Sequence, residues 1–448
     1  MRKEEKCGNV KFESWSTMQT RIAQKPEKHA SKRFHGGGPV MSYKRKTLCL
    51  ILPAFLLLAG LLSSCQNGPT DQATACGPKS LPVVKTLEPV QTSSQTVYAT
   101  SGSNLYAFNA GNGAPRWCSK VSMSNALEEF ESVTRSGGSV YTSTSGGNVT
   151  VFNANSGALV WSTNTSVGQD NYRTPPLIMH KTVYEGFYTL YALNTQDGSV
   201  NWQFSPGDQV VMFAPPVITG GNIYVDTHAY QTQADQVQAL DASTGASRWT
   251  MQIPKNINPE HLIAADGVVI FAGRDTTNGF GWLHAVNAQN GELLWQKTLE
   301  LGVYSPPVEA NGILYADGNA FPGGTAVYAI DMHTGKILWS FPPNMLGDEQ
   351  LLISNTIIYS TDTSLQVSAH DVQTGKLLWS AQLQASSDFY LGRLVLLNNE
   401  LFVGAEKLGE HNPSFFLHAF NITTHKEDWY ANITGIETSS ASMVNVAG

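Results

Sequence analysis

The chain has 448 residues, 42% of them apolar, with 28 Lys+Arg against 35 Asp+Glu and a formal net charge of −7. That is ample apolar sequence for a large core. The acidic balance and the lack of a basic stripe exclude the electrostatic footprint of a nucleic-acid binder or an anionic-membrane surface binder.

Residues 1–40 are polar and basic and carry no repeat. They stand ahead of a stretch that is a complete secretory signal by itself: "MSYKRKTLCLILPAFLLLAGLLSSC", with Lys44, Arg45 and Lys46, an apolar run, then small residues. Translation is therefore expected to start at Met41, leaving 1–40 as an upstream extension of the gene model or a disordered segment, with 41–64 as signal peptide. The other reading is a spanning anchor, but Thr47 to Leu62 is short for a bilayer. Leu62-Ser63-Ser64-Cys65 resembles a bacterial lipobox. That resemblance implies lipidation at Cys65 and an extracytoplasmic protein lipid-anchored to the cell membrane, at the outer membrane or periplasm if the host has them.

Of the basic residues 12 precede Cys65, and of the acidic residues 4 do, so the chain from Cys65 onward carries −15. Residues 65–84 read as a polar tether. With Cys7 and Cys49 removed and Cys65 lipidated, Cys76 and Cys118 are left. An oxidising compartment permits a disulfide between them, clipping the tether to the rest of the chain; two free thiols are the alternative.

From residue 85 to 448 the chain repeats itself. A Gly stands four residues before Trp117, Trp161, Trp202, Trp249, Trp295, Trp339 and Trp379, and His425 takes that place before Trp429. Four residues before each Gly position is Asn or Asp: Asn109, Asn153, Asn194, Asp241, Asn287, Asp331, Asp371, Asn421. Two residues earlier is Ala in seven copies and Val151 in the other. The Trp spacing of 40 to 50 residues marks a repeat architecture. Each unit holds short alternating runs such as "APPVIT", "NIYVD" and "QALD" before the Trp run. Bounded by Gly, Asn and Pro, they read as four short antiparallel strands. One such unit cannot bury both faces, but units packed around an axis can. The expected fold is all-β, an eight-bladed β-propeller with the eight Trp rings buried at successive blade seams. "SSASMVNVAG" reads as a ninth first strand, and residues near "TLEPVQ" are a second candidate for that role in the opening blade.

The A-x-D-x-x-T-G-K-x-x-W pattern, clearest in "AIDMHTGKILW" at Ala329, resembles the tryptophan-docking motif of propellers related to pyrroloquinoline-quinone (PQQ) dehydrogenases. Signal, lipobox, blade number and motif together are similar to the lipoprotein subunit of the outer-membrane β-barrel assembly machinery. That resemblance implies a non-catalytic, lipid-anchored cell-envelope scaffold, a monomer that binds envelope proteins and touches membrane through its lipid alone. The alternatives are a cell-surface propeller for a small molecule or glycan, and a divergent PQQ-dependent dehydrogenase.

By strand order, the loops between second and third strands converge with the entries to the first strands on one channel mouth. The candidate mouth residues are Phe130, Arg173, Phe213, Asp226, His228, Arg274, Asp275, Trp282, Tyr304, Asp317, Asp348, Asp362 and Phe389. Aromatics mixed with charge suit a binding rim. No adjacent Cys pair, no Glu/Asn/Asp run for Ca²⁺, no C-x-x-C-H and no G-x-S-x-G are present, so neither PQQ nor Ca²⁺ is expected as cofactor.

Overall fold

The computed structural model describes residues 74–76, 82–87, 93–121, 130–165, 175–207, 210–212, 214–229, 234–300, 302–303, 306–320, 324–341, 351–361, 366–383, 389–407, 414–433 and 445–447. They belong to the compact unit 67–448. Residues 1–66, with the signal, the lipobox and Cys65, lie outside the described residues.

Every described element is a strand, and the strands form eight antiparallel sheets, the blades of a propeller. Blade 3 shows the plan. Leu177–Met179, Thr182–Gly186, Leu190–Asn194 and Val200–Phe204 pair in sequence order, from the inner strand to the outer one. Val, Tyr and Phe occupy the two middle strands of each blade, which are covered on both faces, whereas the outer strands alternate exposed and covered residues.

The motif residues each have a visible task. In all eight blades the Ala or Val lies directly opposite the Trp of the neighbouring strand, as Ala285 opposite Trp295, and a register shift follows at once. The seven Ala and Val151 are fully buried, so a larger side chain there would push the blades apart. The Asn or Asp side chain accepts N–H groups two and three residues on, as Asp331 does from His333 at 3.1 Å and Thr334 at 2.8 Å. The motif Gly closes the turn, as Gly335 N donates to Asp331 O at 2.9 Å with φ at +68°. That Gly also has no room for a Cβ, which at Gly335 would meet the Trp295 ring at 2.7 Å. Left-handed backbone and close approach together explain why glycine recurs.

The Trp rings dock blade to blade. Trp117, Trp161, Trp202, Trp249 and Trp295 donate their indole N–H to the carbonyls of Ala154, Thr195, Ala242, Ala288 and Met332 in the following blade, at 2.9–3.1 Å. Trp429 of blade 8 donates to Ala110 O of blade 1 at 3.1 Å, closing the series into a ring. Tyr98, Tyr184 and Tyr224 hydroxyls donate to the carbonyls of Ala154, Ala242 and Ala288, so one carbonyl serves two donors at three seams. Burial departs from the sequence expectation, however. Trp161, Trp295 and Trp429 are buried, but Trp117, Trp202, Trp249, Trp339 and Trp379 are half-buried.

Both chain ends take part in closure. Asn445–Ala447 pairs with Tyr98–Thr100 and is the inner strand of blade 1. The stretch read as a tether is itself partly strand: Thr74–Ala75 pairs outside blade 1 and Val83–Thr86 outside blade 8. Each satisfies backbone groups that an edge strand leaves open. Cys76 and Cys118 are disulfide-bonded, with Cα atoms 5.4 Å apart.

Candidate functional site

The mouth-side ends of the blades are built by hairpins that run further as strand than the sequence pattern showed. The second and third strands extend to Ala229 and from Ala234 in blade 4, to Asp275 and from Gly281 in blade 5, to Ala320 and from Gly324 in blade 6, and to Lys407 and from Ser414 in blade 8. Asp226, His228, Arg274, Asp275, Trp282 and Asp317, read as loop residues, therefore lie on paired strands. The antiparallel ladder continues unbroken through these polar residues.

In blade 4, His228 and Asp235 face each other across the ladder, and His228 Nδ1 bonds the Asp235 carboxylate. Val210–Val211 pairs with His228 and Ala229 from the other side, so the connection from blade 3 lies along this hairpin. Asp226 is buried and accepts the Ala214 N–H at 3.0 Å, fixing the entry to the inner strand. In blade 3, buried Glu185 accepts the Thr165 hydroxyl at 3.0 Å.

Blade 5 carries a further polar group. Glu260 Oε1 accepts Arg274 Nε and Asn258 Nδ2, each at 3.0 Å. Burial raises the Glu260 carboxyl above the ordinary range, and the Arg274 guanidinium opposes that shift. At the exposed hairpin tip, Asp275 accepts Thr277 N–H at 2.8 Å and Asn256 Nδ2 at 2.9 Å. These bonds, the Thr277 N–H first, lower its carboxyl. Deeper in the blade, His284 stacks on Phe271, with centroids 4.9 Å apart, and meets the tilted Trp282 ring at 4.8 Å, the three rings being in mutual contact. Burial pushes its imidazole down to about 4, so it is a neutral packing residue at physiological pH.

The candidate residues thus divide. The structure brings His228 to Asp235 and Arg274 to Glu260, two partners that the sequence pattern did not expose. Register across a hairpin was the available signal for the first, and for the second an inner-strand Glu beside a pairing Arg. Phe130 is wholly buried and packs edge-on against Phe152 between blades 1 and 2, so it is core and no part of a rim. Trp282 is engaged by Phe271 and His284 rather than presented as a free ring. Asp317 is buried on its strand. Phe389 opens the inner strand of blade 8. Arg173, Phe213, Tyr304, Asp348 and Asp362 lie outside the described residues.

Quinone chemistry asks for a cation beside the ring and a surface to pack it. Among the described residues no three His, Cys, Asp or Glu side chains are grouped to hold a metal ion. Asp226 is committed to a backbone N–H and Asp275 to its own turn. Cys76 and Cys118 are joined at the outer edge of blade 1, remote in the blade from any inner strand. The described residues do not fit the quinone and its cation.

Among solved structures, BamB from Moraxella catarrhalis aligns with a TM-score of 0.51 and 16% identity, over 80% of this chain and 97% of that one. Quinohemoprotein alcohol dehydrogenase from Comamonas testosteroni aligns with a TM-score of 0.55 and 14% identity, over 78% and 74%. At such identities both show a shared fold and nothing finer. By sequence, the outer membrane protein assembly factor BamB of Moranella endobia is 27% identical over 197 residues, 41% of this chain. The matched stretch spans about half of that relative, 46% of its length. The family model described as outer membrane protein assembly factor BamB matches residues 68–204, 145–273 and 233–447, through all eight blades, and the chain belongs to that family.

Proposed function

We propose that the chain is a non-catalytic, lipid-anchored propeller of the cell envelope that serves as a protein-interaction scaffold in the assembly of outer-membrane proteins. The observation that carries this reading is the family match across 68–447, which follows the whole ring rather than one repeat motif. The site chemistry supports it. The mouth-side polar groups are bonded to each other, Arg274 to Glu260 and His228 to Asp235. Polar side chains paired across the hairpins suit docking of a folded or extended protein segment. Lipidation at Cys65 would hold the ring at the membrane.

The test is purification of the lipidated chain from membranes of its host, with identification of what accompanies it. Recovery of the barrel-assembly pore protein in stoichiometric amount supports the scaffold. Its absence, together with saturable binding of PQQ to the purified chain, refutes it in favour of the dehydrogenase.

A further inference from the structure

We propose that residues 74–76 and 82–87 form an outer clasp that closes the ring a second time, across the seam between blades 8 and 1, with the Cys76–Cys118 disulfide as its lock. Two short strands near one another in sequence lie on the outer edges of the two blades. Thr74 and Ala75 pair with Lys120 and Ser119 of blade 1, and Val83 to Thr86 pair with Asn432 to Trp429 of blade 8. Cys76 N donates to Cys118 O at 3.2 Å beside the disulfide, and Leu87 N donates to Asp428 O at 2.8 Å.

The clasp reaches into the seam itself. Cys76 and Val84 pack against one apolar cluster built from both blades, which includes Phe108 and Ala110 of blade 1 and Phe402 and Trp429 of blade 8. A Cβ on Gly113 would meet Val84 and the Trp429 ring alike at 2.7 Å, so the three are in close contact. The Lys85 ammonium sits 5.7 Å from the centroid of the Tyr430 ring. Trp429, with Val84 against it, is 0% exposed, against 7% for Trp161 and 9% for Trp295 and half-burial of the other five.

The topology creates the need for a clasp. At seven seams successive blades are joined by the continuous chain. Blades 8 and 1 are joined at the inner edge by the three-residue strand Asn445–Ala447. A strand that short contributes few backbone bonds and frays readily. The clasp adds an outer closure, and the disulfide ties its first strand covalently to blade 1. A pull on the chain upstream of residue 74 enters blade 1 through Cys118 and does not peel Val83–Thr86 from blade 8.

The experiment is hydrogen exchange on the full chain, oxidised and after reduction by a dithiol. Reduction transfers two electrons and two protons, giving two Cys thiols and the oxidised cyclic reagent. Exchange within 83–87 and 426–432 is expected to rise by about tenfold or more, and Cys118, buried in the oxidised state, to become open to alkylation. Blades 3 and 4, at 182–194 and 222–241, should keep their protection. Unchanged exchange at 83–87 and 426–432 would overturn the lock. A uniform rise in all blades would reduce the disulfide to a general stabiliser and overturn it equally. Val84→Lys separates clasp from lock: with the disulfide intact it should loosen 426–432, and full protection there would refute the clasp.

Discussion

His425 lies flat against Trp379, with ring centroids 4.4 Å apart and 25° between the planes, in the seam whose motif has no glycine. Elsewhere the motif Gly leaves a bare backbone under the preceding Trp. Here a side chain at φ +58° covers the ring instead. His425→Ala should lose the stack and keep the unfavourable backbone, destabilising the fold by about 1–2 kcal/mol. His425→Gly should come out within about 1 kcal/mol of the parent, since relief of the backbone offsets the lost ring contact. Urea unfolding of the two variants checks the pair: an unchanged stability in His425→Ala would mean the stack contributes nothing, and an equal loss in both would mean the positive-φ backbone costs nothing.

Gly335→Ala should behave quite differently. Its φ of +68° and the 2.7 Å approach of a Cβ to Trp295 add strain to overpacking. A loss of about 2–4 kcal/mol is expected. Trp295→Ala should cost about 3–5 kcal/mol, because it empties a buried seam and leaves the Met332 carbonyl without its donor. Half-buried Trp249 should be less costly to truncate. Equal losses at Trp295 and Trp249 would show that burial does not set the contribution.

The pH dependence has two opposed sources. Burial first, and then the neighbouring Asp428 carboxylate, push Glu400 up to about 8, while Asn421 donates to it at 3.0 Å. The folded state therefore holds a proton that the unfolded chain releases near about 4.3. Its contribution is full below that value and is lost as pH rises toward 8. His284, pushed down to about 4, works the other way: its contribution is full above about 6.5 and is lost as pH falls toward 4. Thermal unfolding across pH should show Glu400→Gln flattening the alkaline decline and His284→Phe flattening the acid one. A Glu400→Gln profile parallel to the parent would sink this account of the carboxyl pair.

Anchoring and folding should separate cleanly. Cys65→Ser is expected to release the chain from membranes while its unfolding midpoint stays the same, because every described strand begins at Thr74 or later. Retention after a salt wash would point to the apolar run before Cys65, or to a membrane partner of the ring.

The repeat was legible because each motif residue answers a local demand that recurs with the period. Ala opposite Trp, Asn or Asp at the turn and the positive-φ Gly that closes it all fall within about a dozen residues of sequence. What the pattern did not reveal was set by long-range pairing. That Val83–Thr86 covers Trp429 depends on a contact between residues 345 apart, Val84 and Trp429, and no local period encodes it. The mouth was read less well for the same reason. Polar residues such as Asp226 and Arg274 look like loop residues in isolation, and become strand only when a partner such as Val237 or Asn258 stands across the ladder. Phe130 was misplaced on the rim because its neighbours are polar in sequence, while its packing partner Phe152 lies two strands away.

The central claim is that the ring binds protein and performs no chemistry of its own. The most direct measurement titrates the purified chain against the purified barrel-assembly pore protein of its host, with a parallel assay of alcohol oxidation in the presence of PQQ, Ca²⁺ and an artificial electron acceptor. The account predicts saturable protein binding, weakened several-fold by Arg274→Glu, and no turnover. Turnover with the quinone, or no binding to the pore protein under conditions where the ring is folded, would contradict it.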